Sequence, residues 1–280
     1  MIAVELAKQY RRPRTYVTLL ALAGFGLVLT VALVATNASG TEHVGDIPLL
    51  LVPSSSGFTV PLIALSSTMK FFLPLAVSVF AGEAVAGELR WGSLRYVLAR
   101  GVSRSRFLAS KAAVAALLSA GAVVLVPLVA LAVGVVAFGW HPLVVVDGSA
   151  STSLQQAATT FDPATALIRL GMATAYVAAG MASIFAFAFF LSTVTATPLI
   201  AVAGGVGLTI LSRVLNADYL SGVAVLSPYL PNNDVDLWQH LFQTPIQTDG
   251  MVHFLVLQGV YATVFLSLAW WWFRRRDVVE

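Results

Sequence analysis

GEAVAGELRWGSLRYVLARGVSRSRFLASK, residues Gly82 to Lys111, is the long polar interruption in an otherwise apolar chain. It carries two acids, Glu83 and Glu88, and six bases, Arg90, Arg95, Arg100, Arg104, Arg106 and Lys111. A segment long enough to cross a bilayer flanks it on each side. In short loops orientation follows Lys and Arg, so the stretch reads as a cytoplasmic loop. Its apolar residues are spaced as well. Leu94, Val97 and Leu98 fall at i, i+3 and i+4 of a helix, Gly101 is suited to end it, and Ser103 is placed to cap a second, short helix ending at Ser110. The pattern predicts helix, break, short helix, then the next span.

The 280-residue chain is 58% hydrophobic and 10% charged, with a mean hydropathy of +0.86. Soluble domains of this length are far less apolar, so residues 1–280 are read as one transmembrane domain of an all-α integral membrane protein. The chain has no cysteine, which excludes disulfides, thiolate metal sites and thiol nucleophiles. Of its 16 Lys and Arg, four lie from Lys8 to Arg14, six in the central loop and three from Arg274 to Arg276. This distribution predicts a multi-pass protein of the cell membrane with both termini in the cytoplasm, hence an even number of spans.

Six spans are expected, over residues 15–37, 58–82, 112–140, 163–191, 198–214 and 252–273, with residues 83–111 as the cytoplasmic segment between the second and third. Ahead of them, Ile2, Leu6 and Tyr10 oppose Glu5, Lys8 and Arg11, the pattern of a short interfacial helix or else a frayed basic tail. A signal peptide is the competing account of the first apolar run, and the run is too long for one. Pro61 suits the first turn of the second span and Pro74 is expected to kink it. Asp162 and Pro163 form an N-cap and N1 pair. From Leu170 to Ser212 there are 43 residues without a charge, about twice what one crossing accepts, so the run folds back at Ser192 to Thr197. Residues 214–250 hold four acids, no base and several aromatics, which points outside and to short helices on or dipping into the outer leaflet. Trp270 to Trp272 and then Arg274 to Arg276 close the last span.

No G-x-x-x-x-G-K-S/T occurs, so the chain has no phosphate-cradling loop of its own. The four histidines are scattered and none is in an H-E-x-x-H arrangement, so neither a metal site nor a catalytic set is expected. Lys70 stands alone near the centre of the second span, where a charge costs about 2.5–3.5 kcal/mol. It either lines a translocation pathway and meets an anionic group, or it binds backbone carbonyls or snorkels past a bend at Pro74.

Glu88, Gly92, Ser93, Leu94 and Arg95, followed by Val102, Ser103, Arg104 and Lys111, resemble the signature of the permease subunits of ABC exporters of the type-2 class. The family often has Pro where this chain has Gly101, and either residue breaks a helix. The resemblance covers about thirty residues. It implies a coupling helix that docks in a groove of a separate ATPase subunit, a second permease copy or paralogue, and an external re-entrant element between the fifth and sixth spans. ATP and Mg would sit on the ATPase and no cofactor on this chain, which would itself be no enzyme; membrane lipids are expected partners and nucleic acid is not. The implied coupling set is Glu83, Glu88, Gly92, Arg95, Ser103, Arg104, Phe107 and Lys111, with Glu83, Glu88 and Arg95 bracing the segment and Arg104, Phe107 and Lys111 nearest the partner. Two alternatives share the topology: a secondary transporter, which would carry several intramembrane ionisable groups and inverted repeats, and a non-transporting scaffold.

Overall fold

Backbone N–H and C=O groups in hydrocarbon must be satisfied within the protein, which leaves long apolar runs the helix. The computed structural model describes residues 2–35, 42–43, 49–51, 56–92, 101, 103–147, 158–215 and 229–275. Helices α1 (Ile2–Tyr10) and α2 (Pro13–Ala35) lead into strands β1 (Glu42–His43) and β2 (Leu49–Leu51). Next come α3 (Thr59–Met69), α4 (Phe72–Arg90) and α5 (Arg104–Phe138), then strands β3 (Leu143–Asp147) and β4 (Ala158–Phe161). The chain continues through α6 (Pro163–Gly180), α7 (Ala182–Val194) and α8 (Pro198–Leu215), a 3₁₀ helix (Asp234–Phe242) and α9 (Met251–Arg275). Among the described residues, five stretches are helical, long and apolar enough to cross a membrane: α4, α5, α6 with α7, α8 and α9. The protein is therefore a mostly helical, multi-pass membrane protein.

Helix α4 is the centre of the bundle, packed by α5, α7 and α8, while α9 lies against α7 and α2 against α5. Its buried face is rich in small residues, Ala76, Ala81, Ala84 and Ala86, which let backbones approach where apolar area alone drives no association. At Gly82 the approach is close: a Cβ there would lie 2.9 Å from the backbone nitrogen of Val202 on α8.

Four expectations change. The second span is broken rather than kinked, because α3 ends at Met69, Phe71 takes φ −144° and ψ −50°, and α4 starts afresh at Phe72. Pro74 accounts for this: its ring opposes the carbonyl four residues back, that of Lys70. Helix α4 then runs on to Arg90, so Glu83 and Glu88 stand on a helix instead of in a loop. The short helix and the third span are one 35-residue helix, capped by Ser103, whose hydroxyl accepts from the Arg106 N–H at 3.4 Å.

The fourth span divides at Met181, where Gln258 of α9 intervenes. Its side-chain oxygen accepts from the Ser183 N–H at 3.1 Å, a donor freed by the break, while its amide donates to the Pro231 carbonyl in the interior. Asp162 caps α6 as expected, accepting from the Thr165 N–H at 3.2 Å. Hydrogen bonds from the Thr165 side chain and backbone hold that carboxyl below the ordinary carboxylate range.

The sheet was not foreseen. Its strands pair antiparallel in the order β1-β2-β3-β4, with Leu49 opposite Asp147 and Leu143 opposite Phe161. It joins the segment before α3 to the one after α5 and so puts both at one end of the bundle. The 3₁₀ helix packs at this same end, against α6 and α9, with Trp238 buried and its indole N–H on the Met69 sulfur at 3.2 Å.

Candidate functional site

The opposite end of the bundle holds most of the described charge. Lys111, on the second turn of α5, is 3% exposed, and Glu88, on the last turn of α4, is buried too. A lone charge there would be very costly, so each needs a partner. The Lys111 ammonium donates to Glu88 at 2.9 Å and to Glu5 of α1 at 2.6 Å. The same Glu88 oxygen also takes a salt bridge from Lys8 and lies 3.9 Å from Arg12. Beside them Arg14, at the start of α2, pairs with Glu83. Three carboxylates and four bases thus tie α1 and α2 to the two helices that bracket the polar segment.

An aromatic layer closes the cluster. Lys111 sits over the Phe107 ring, 5.5 Å from its centroid. Phe107 in turn stacks on Phe273 of α9, with centroids 5.9 Å apart and planes 15° apart. Arg104 donates to the Arg274 carbonyl at 2.9 Å, placing a cation at the C-terminus of α9 where its dipole is negative.

The sequence-predicted residues therefore divide. Glu88 and Lys111 come together as a brace, Glu83 pairs beside them with Arg14, and Gly92 and Gly101 take φ of +62° and +76°, the left-handed geometry that ends a helix. Arg95 lies outside the described residues, as does the helix expected over Leu94 to Leu98. Phe107 and Lys111, expected nearest a partner, face the interior. Arg104, Phe107 and Lys111 do share one face of α5, as spacings of three and four require, but that face is the buried one. The outward face is Ser103, Arg106 and Ala109. Helix α1 forms with Glu5 turned inward to Lys111, although the sequence placed it on the solvated side. Lys70 is partly buried at the α3–α4 break and is not without a partner. Its neighbours Phe71 and Phe72 are exposed, and Phe72 packs on Phe25 of α2 at 4.7 Å.

A model of a family described as a protein of unknown function (DUF2705) matches residues 16–279. The chain belongs to this family. It is also similar to the uncharacterized protein YhcI of Bacillus subtilis (strain 168), 24% identical over 233 residues that cover 82% of this chain and 72% of the relative. In this DUF2705 chain the match takes in Glu83, Glu88, Phe107 and Lys111, whereas Glu5 and Lys8 precede it.

Gln258 was missed. It joins the broken fourth span, α9 and the segment before the 3₁₀ helix, and the signal available was a lone amide within a 25-residue apolar helix.

Proposed function

We propose that this chain is the transmembrane permease subunit of an ATP-driven ABC exporter, with six spans, both termini in the cytoplasm and the charged end docking a separate ATPase subunit. Helix α2 is the sixth span: at 23 residues it reaches about 34 Å, enough for the ~30 Å hydrocarbon core. Helix α1 and the C-terminus of α9 both lie at the charged end, as an even number of spans requires. The sheet and the 3₁₀ helix then form the external cap, and a second permease copy or paralogue completes the transporter.

The observation that carries this reading is the buried Glu88–Lys111 pair. It closes the two ends of the polar segment at the residues where the resembled signature begins and ends. A loop that only sets topology needs bases on the cytoplasmic side, not an internal brace. In the mechanism, closure of the ATP-bound partner displaces the polar segment. The brace moves α4 and α5 together, and α5, uninterrupted for 35 residues, carries the motion across the membrane. Access then alternates between the two sides. Ser103, Arg106 and Ala109 form the contact face, while Glu83, Glu88 and Lys111 hold the segment rigid.

Purification of the tagged chain from its native membrane tests the proposal. The expected result is an ATPase that accompanies it in stoichiometric amount and hydrolyses ATP faster in the complex. Recovery of the chain without a nucleotide-binding partner contradicts it; ion-driven uptake would then identify a secondary transporter.

A further inference from the structure

Between the starts of α2 and α8 and the last turns of α4 lies a groove of about 540 Å³. Arg12, Arg14 and Arg90 line its charged end, against one carboxylate, Glu83, which Arg14 already engages. Arg12 has Glu88 at 3.9 Å, whereas Arg90 is exposed and has no charged or hydrogen-bonding side-chain partner among the described residues. The groove therefore has an excess of positive charge.

Away from the arginines the lining becomes apolar. Val79 lies one turn deeper than Glu83 on α4, and Val202 one turn into α8. At this level the two helices meet at Gly82 and form the back wall. At the rim stand Trp91, 81% exposed, and Leu199, 74% exposed, groups that suit the headgroup level of a bilayer better than water. A soluble anion would use the arginines and leave the apolar wall and rim idle. A molecule with an anionic head and a hydrocarbon tail uses all of them.

We propose that this groove seats one anionic phospholipid from the leaflet at the charged end, its phosphate between Arg12 and Arg90 and an acyl chain along Val79 and Val202. The proposal needs only that the chain spans a membrane and is independent of the ATPase partner. The lipid would fasten the starts of α2 and α8 to α4, the helix that Glu88 ties to α5.

In the test, full-length protein in mixed micelles is titrated with phosphatidylglycerol or phosphatidylcholine of the same chains, and bound lipid is counted by native mass spectrometry. Phosphatidylglycerol is expected to be held at one strong site. Arg90→Gln should weaken it about five-fold, the loss of one basic contact at a membrane surface, while Arg106→Gln, at the same end but outside the groove, should not. Equal retention of the two lipids, or equal effects of the two substitutions, would reduce the site to diffuse charge and overturn the proposal. Displacement by glycerol phosphate at matching concentration would assign the site to a free phosphate, also overturning it. A phosphatidylglycerol with a photoreactive headgroup provides the check on unaltered protein: attachment is expected at Arg90–Trp91 or Pro198–Leu199, and attachment confined to other places contradicts the assignment.

Discussion

At one end of this bundle α1, α2, α4 and α5 are tied by charged side chains; at the other a sheet and a 3₁₀ helix are tied by aromatic rings and backbone carbonyls. Lys111, Glu88 and Glu5 meet at 2.6–2.9 Å around two buried charges. At the sheet end, Arg169 of α6 donates to the carbonyls of Leu241 and Gln243 at 2.7 and 3.0 Å and covers Phe161, while Trp238 stands edge-on to Phe242 with centroids 6.0 Å apart. The difference lies in what failure leaves behind. A buried ion pair that loses one member leaves an uncompensated charge, so the charged end is rigid in one arrangement. The sheet end is held by apolar area and by hydrogen bonds to main-chain groups, so a lost side chain there leaves a cavity rather than a stranded charge.

The largest effect is expected at the sheet end. Trp238→Ala empties a fully buried site against Met69 and Phe242 and should cost about 4 kcal/mol. Thermal unfolding in detergent measures the loss, and amide exchange should open the 3₁₀ helix while leaving α1 protected.

Lys111→Met should cost about 3 kcal/mol, because Glu88 and Glu5 lose their shared buried cation. The comparison sharpens in the double variant: Glu88→Gln with Lys111→Met should cost less than the two single changes together, since the charges left behind are fewer. Strict additivity would mean that the brace is not a coupled unit.

Arg169→Lys should cost less, about 1.5 kcal/mol, because an ammonium cannot serve both carbonyls and the Phe161 face as a planar guanidinium does. Amide exchange of residues 234–242 should rise with it. An unchanged protein would show that the aromatic packing alone holds the cap.

The charged end was legible because charge is scarce in this sequence. A buried acid at Glu88 has few possible partners, and the base at Lys111, at the other end of the polar segment, is one of them. What was misjudged there was rotation: Glu5 was placed by helical periodicity, and Phe107 and Lys111 by the resemblance, without knowing which neighbour waits on the far side. Glu5 turns inward because Lys111 is there, 106 residues away, and Phe107 because Phe273 is. The sheet end was not legible. Leu49 to Leu51 and Leu143 to Asp147 pair through main-chain groups that every residue carries, so the sequence marked both segments only as connections. The break at Lys70 was readable in part, since Pro74 signalled a disruption, but a proline cannot say whether the helix bends through it or restarts before it.

We propose that the charged end is a braced platform whose outward face, not its buried one, meets an ATPase. Affinity purification of Arg106→Glu and Phe107→Ala beside the unaltered chain tests it, with the melting temperature of each recorded. Arg106→Glu is expected to keep its melting temperature and lose the ATPase, whereas Phe107→Ala should melt lower and, where folded, retain it. Loss of the ATPase from Phe107→Ala at an unchanged melting temperature, with full retention by Arg106→Glu, would contradict it.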